Sequence, residues 1–138
     1  MTINLTIMPN MNKTLFFLRV GGLLALASVL LGAFGAHALK DTLSERGTAA
    51  IWETAIRYQM WHALALILLP LLREQRKIPD LCGYCFAAGV LLFSGSLYGL
   101  ALGGPNWLGP ITPLGGSCLI AGWAVLVYSA KESKQPSR

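Results

Sequence analysis

Fifty consecutive residues, 81–130, pass without a lysine, arginine, aspartate or glutamate. The run is broken once, at Gly103-Gly104-Pro105-Asn106-Trp107-Leu108-Gly109-Pro110, a cluster of helix breakers and turn formers. A hydrocarbon core of ~30 Å takes roughly 20 helical residues to cross. Residues 81–102 and 111–130 are both long enough, and the breaker cluster makes a short loop between two antiparallel spans. A third uncharged run, 20–39, extends back to about residue 15 with Arg19 snorkelling to the interface. A fourth is shorter: 58–72 would supply only about 22 Å of helix. It crosses if the helix reaches back to about Thr48, which brings Glu53 and Arg57 to the membrane surface. These two are spaced i,i+4 with the acid first, the favourable order for a helical ion pair. Ahead of them, Thr42-Leu43-Ser44-Glu45 has the spacing of a capping box and points to a short surface helix.

Composition supports the same class. Of 138 residues 54% are apolar and 12% charged, about half the charge of an ordinary soluble domain, which also excludes intrinsic disorder. A membrane barrel would need alternating lipid-facing and lumen-facing residues, whereas these runs are apolar throughout. The expected fold is all-α, an integral membrane four-helix bundle. One transmembrane domain occupies 15–130, with spans near 15–39, 48–72, 81–102 and 111–130. Tails of 1–14 and 131–138 flank it, and no pattern assigns structure to the first ten residues.

Four spans put both termini and the second loop on one side. That side carries Lys13, Arg19, Arg73, Arg76, Lys77, Lys131, Lys134 and Arg138 against Glu74, Asp80 and Glu132, a net +5. The opposite side, with Lys40, Arg46 and Arg57 against Asp41, Glu45 and Glu53, nets zero. The positive-inside rule then places both termini in the cytoplasm. The isoelectric point near 9.4 therefore reflects juxtamembrane clusters facing the lipid bilayer, not a nucleic-acid surface. A competing reading treats the first span as a signal peptide cleaved after Ala36-His37-Ala38. The span exceeds the 7–15 residues of a signal core, so retention is the expectation.

Helices in lipid associate through small residues that let backbones approach. The first span carries Gly21, Ala25, Ser28, Gly32 and Gly35, spaced 4-3-4-3 along one face. The third carries Gly95, Gly99 and Gly103, a doubled G-x-x-x-G, and the last has Gly115, Gly116, Cys118 and Gly122. These stripes predict tight packing within one bundle, or alternatively a homo-oligomer, and a large residue at Gly32 or Gly99 is expected to destabilise either.

Counting from the cytoplasmic ends, Gln59, Ser94 and Ser117 each fall about 21 Å up, and His62 roughly 16 Å. Tyr58 and Ser96 lie within a turn of that level, and His37 sits at the outer surface. The expectation is a polar layer of Tyr58, Gln59, Ser94, Ser96 and Ser117 in the outer half with His62 beneath it. Such a layer serves interhelical hydrogen bonding, or a small polar pocket or proton path around His62. A lone histidine without an intramembrane carboxylate makes a poor relay.

Other chemistry is weakly represented. Cys82-Gly83-Tyr84-Cys85 has C-x-x-C spacing. It lacks a thioredoxin-like strand–helix context, a full set of zinc ligands and an oxidising compartment. His37 and His62 lack a third ligand, so no metal is expected. There is no phosphate-binding glycine loop and no nucleophile–base–acid set, so neither an enzyme nor a cofactor is expected.

The segment Gly32-Ala33-Phe34-Gly35-Ala36-His37-Ala38-Leu39 resembles a signature of domain-of-unknown-function family 423. This is the YgdD-like group of small membrane proteins, related to transmembrane protein 256 of animals. Tyr58-Gln59 with His62-Ala63-Leu64-Ala65-Leu66 agrees with the same family. So do Phe93-Ser94-Gly95-Ser96-Leu97-Tyr98 and Ile111-Thr112-Pro113-Leu114-Gly115-Gly116 with Gly122-Trp123. The resemblance implies a multi-pass bacterial inner-membrane protein with motif residues His37, Tyr58, Gln59, His62, Ser94, Ser96, Thr112 and Pro113, the last two at the outer rim. It implies no activity. The function that follows is a non-enzymatic membrane component or accessory subunit of a larger membrane complex. The alternative is a transporter of a small molecule or protons through the polar layer.

Overall fold

Inside a bilayer each backbone N–H and C=O must find its partner within the segment, so the uncharged runs can only be helices. A computed structural model describes residues 11–75 and 77–131. Its elements are α1 (Met11–Ala36), α2 (Lys40–Glu45), α3 (Ala49–Gln75), α4 (Asp80–Ala101) and α5 (Leu108–Lys131). All but α2 are long and apolar enough to cross a membrane, and no strand occurs among the described residues. The shortest uncharged run thus belongs to the longest helix. At 27 residues, α3 is about 40 Å long and carries Glu53 and Arg57 on its exposed surface.

Three boundaries differ from expectation. The α1 helix begins at Met11, within the stretch expected as a tail, which brings Lys13 onto the helix, and it ends at Ala36 rather than at 39. The α2 helix begins at Lys40 with Leu39 at its N-cap and no side-chain cap, so Thr42 lies inside it and the capping-box spacing does not mark its start. The chain arrives already turning, through His37 N–H to Ala33 O and Leu39 N–H to Phe34 O, and needs no hydroxyl to begin the helix. The α5 helix starts at Leu108, taking in Gly109 and Pro110 from the breaker cluster. Proline is tolerated there because the first turn's N–H groups have no intrahelical partner.

The spans pack in chain order. α3 and α4 lie against each other, α1 covers α3, α5 covers α4, and α1 and α5 flank the pair without a substantial contact of their own. Two close approaches set the spacing. A Cβ at Gly21 would lie 2.8 Å from the Ala63 carbonyl, and one at Gly115 would lie 2.3 Å from the Phe93 nitrogen.

Both ends are tied. On the side of the termini, Asp80 in the first turn of α4 takes Lys13 of α1 on one oxygen and Arg73 of α3 on the other. On the opposite side, Thr48 Oγ1 donates to Ala101 O at 2.8 Å. The Arg46 guanidinium there lies over Gly103, whose φ of +82° a side chain would strain. Two apolar clusters fill the interior. One, of Phe17, Leu66, Leu69, Ile78, Cys82, Phe86, Val90 and Leu119, occupies the half nearer the termini. The other, around Leu43, Trp52 and Ala101, occupies the far end.

Candidate functional site

The polar residues lie between these clusters. Gln59 on α3 is buried, and its amide reaches both ways: Nε2 donates to Leu24 O on α1 at 2.9 Å, and Oε1 accepts from Tyr98 on α4 at 3.0 Å. Ser94, fully buried on α4, donates to Ala55 O on α3 at 2.9 Å. Ser96 meets the Thr112 hydroxyl of α5 at 2.7 Å. Two turns above Gln59, the Trp52 indole donates to Leu31 O at 3.1 Å, packs against Tyr98, and occupies the space a Cβ at Gly35 would need.

His62 lies a turn below. Its Nδ1 is 2.7 Å from Tyr58 O and its Nε2 is 3.0 Å from the Trp123 indole nitrogen of α5. An indole N–H can only donate, so Nε2 accepts and Nδ1 donates to the carbonyl. Both ring nitrogens are engaged in the neutral tautomer. The ring is enclosed by Tyr58, Phe86 and Trp123.

The structure thus brings Gln59, His62, Ser94, Ser96 and Thr112 into helix–helix contacts. Tyr58, half-buried, joins them through its ring against Phe93 and through its carbonyl. Ser117 stands apart. It is exposed and donates to Pro113 O of its own helix at 2.9 Å, because α5 turns Gly115, Leu119 and Gly122 toward α4 instead. Pro113 is exposed within α5, and His37 is exposed in the turn after α1. The two histidines are not brought together. The Cys82 thiol donates to Gly122 O at 3.3 Å, so it serves the α4–α5 seam.

The small residues also divide. Gly21, Gly35, Gly99 and Gly115 are places where a Cβ would collide with a neighbouring element, Ser28 is buried, and Ala25 is half-buried. A Cβ at Gly32 or Gly95 meets nothing within 4 Å, and at Gly116 only the Phe93 ring at 3.6 Å. Gly32 has room for a Cβ, so among the glycines of the α1 stripe the close approaches are at Gly21 and Gly35, with Ser28 buried between them. Composition alone does not single out Tyr98, Trp123, Trp52 and Asp80 as partners, although Tyr98 and Trp123 sit within the motif blocks.

Four spans cross-linked by buried amide, hydroxyl and indole groups define a multi-pass α-helical membrane protein. The model of the family described as protein of unknown function (DUF423) matches residues 31–116. Curated relatives agree. A UPF0382 membrane protein of Staphylococcus haemolyticus is 44% identical over 114 residues, covering 82% of this chain and 93% of its own. The Bacillus subtilis relative YwdK is 38% identical over 117 residues, 83% and 94% of the two chains. One from Haemophilus influenzae is 38% identical over 125 residues, 89% and 97%. The chain belongs to the DUF423 family and is a multi-pass bacterial membrane protein. No solved structure matches it.

Proposed function

We propose that this protein is a non-enzymatic component of the bacterial inner membrane, an accessory subunit within a larger membrane complex, with both termini in the cytoplasm. One observation carries this reading: the polar side chains buried between the helices are spent on one another and on carbonyls. Gln59 joins three helices, Ser94 joins two, and both nitrogens of His62 are engaged. A catalytic or conducting layer needs groups left open to a substrate, and hydrogen bonds used in this way act as interhelical glue, averaging ~0.6 kcal/mol each. The bonds from Trp52 and Gln59 to α1 carbonyls also favour retention of the first span, since its removal would leave two buried donors unpaired.

Capture of a tagged chain from native membranes in gentle detergent tests the proposal. A stoichiometric membrane partner is the expected result, and a bare monomer or homo-oligomer would overturn it. The transport alternative needs solute uptake into proteoliposomes that falls when Gln59 or Ser94 is replaced.

A further inference from the structure

A further feature adjoins the polar layer on its lipid-facing side. A groove of about 500 Å³ opens toward lipid between α3 and α5, with Tyr58, Trp61 and His62 on one wall, Gly116 and Trp123 on the other, and Phe93 of α4 at its base. Counted up from Lys131 on the side of the termini, this groove runs from Gly116 at about 22 Å down to Trp123 at about 12 Å, so it opens mainly into the half of the bilayer opposite the termini and closes just past the midplane of a ~30 Å core. Directly above it on α3, one helical turn apart, stand Arg57 and then Glu53. Trp61 of the groove wall is one turn below Arg57 on the same face.

The two charges are 59% and 69% exposed, and their closest nitrogen and oxygen are 3.8 Å apart. A charge-assisted hydrogen bond closes to about 2.7–2.9 Å, so neither group is saturated by the other. Arg57 lies sixteen residues above Arg73, about 24 Å. This brings its guanidinium within snorkelling reach of the far headgroup layer. Read from that surface inward, the order is acid, base, aromatic-walled apolar channel. A zwitterionic aminophospholipid presents its groups in the complementary order: ammonium, phosphate, acyl chain.

We propose that the α3–α5 groove is a binding site for one phosphatidylethanolamine-type lipid of the leaflet opposite the chain termini. Its acyl chain lies along the groove, its phosphate is on Arg57 and its amine is on Glu53. The site is independent of the accessory-subunit reading and of which face of the membrane is cytoplasmic.

Native mass spectrometry of the full chain, titrated with phosphatidylethanolamine or phosphatidylglycerol in mixed micelles, tests it. The wild-type chain is expected to retain one phosphatidylethanolamine roughly tenfold more tightly than phosphatidylglycerol, as befits one charged hydrogen bond. Glu53→Gln should remove that preference, and Arg57→Gln should weaken both lipids about tenfold. Ile120→Trp, which fills the channel without touching either charge, should abolish retention. All three positions are exposed, so circular dichroism and the thermal midpoint without added lipid should stay at wild-type values. Equal affinity for the two lipids in the wild type, retention unchanged by Arg57→Gln or Ile120→Trp, or a second copy of the chain occupying the face in place of lipid would each overturn the proposal.

Discussion

Gly115 and Gly116 are neighbours in sequence, and the structure predicts opposite outcomes for the same replacement. A Cβ at Gly115 would stand 2.3 Å from the Phe93 nitrogen and 2.8 Å from the Leu92 carbonyl carbon. Those atoms are backbone and cannot rotate aside, so α4 and α5 must separate along their seam. Overpacking penalties run about 1–3 kcal/mol, and an obstacle made of backbone belongs at the upper end. Alanine returns at most ~1 kcal/mol through its better helix propensity. Gly115→Ala should therefore destabilise by about 2 kcal/mol, roughly thirtyfold in the folding equilibrium. At Gly116 the nearest obstacle is the Phe93 ring at 3.6 Å, ordinary contact. Gly116→Ala should then be neutral or stabilising by up to ~1 kcal/mol. Reversible unfolding in mixed micelles, titrated with a denaturing detergent, measures both. If the two variants move together, or Gly115→Ala matches the parent, the α4–α5 packing described above is wrong.

Further predictions follow from the cross-links. In a double-mutant cycle, Gln59→Leu and Tyr98→Phe should couple by about 0.6 kcal/mol, and a coupling of zero would mean that the Tyr98–Gln59 bond contributes nothing. Asp80→Asn should lower stability and make it less sensitive to salt, because Lys13 and Arg73 lose their common partner. A variant whose salt response equals the parent's would refute the clamp. A reporter fused after Arg138 should register in the cytoplasm and one inserted at Gly47 on the opposite face. Signals from a single side would overturn the sidedness drawn from the positive charges.

The spans were legible because uncharged length is a one-dimensional property, and even α3 could be inferred once Glu53 and Arg57 were admitted at its edge. Rotation about each axis was not legible. In a soluble helix the polar face reveals the phase, but here lipid-facing and core-facing residues are equally apolar, so the 3.6-residue period carries little information. Ser117 shows the consequence: its depth is shared with Gln59 and Ser94, yet α5 turns it outward. Gly32 and Gly95 show the same for the glycine stripes, where spacing identified a face without showing which of its positions are touched. In the sequence Asp80 is one loop charge among several. That it gathers two helices depends on α1, α3 and α4 ending together, which no local pattern encodes.

The sequential packing bears on how the protein is made. Each spanning helix that leaves the ribosome packs against the span inserted just before it, so assembly requires no search across the bilayer for a distant mate. Such local topology favours rapid folding. It also means that the amide of Gln59 can meet the Leu24 carbonyl as soon as α1 and α3 are side by side, while its other half stays unanswered until Tyr98 arrives. The first pair is thus made with a vacancy that the second pair closes.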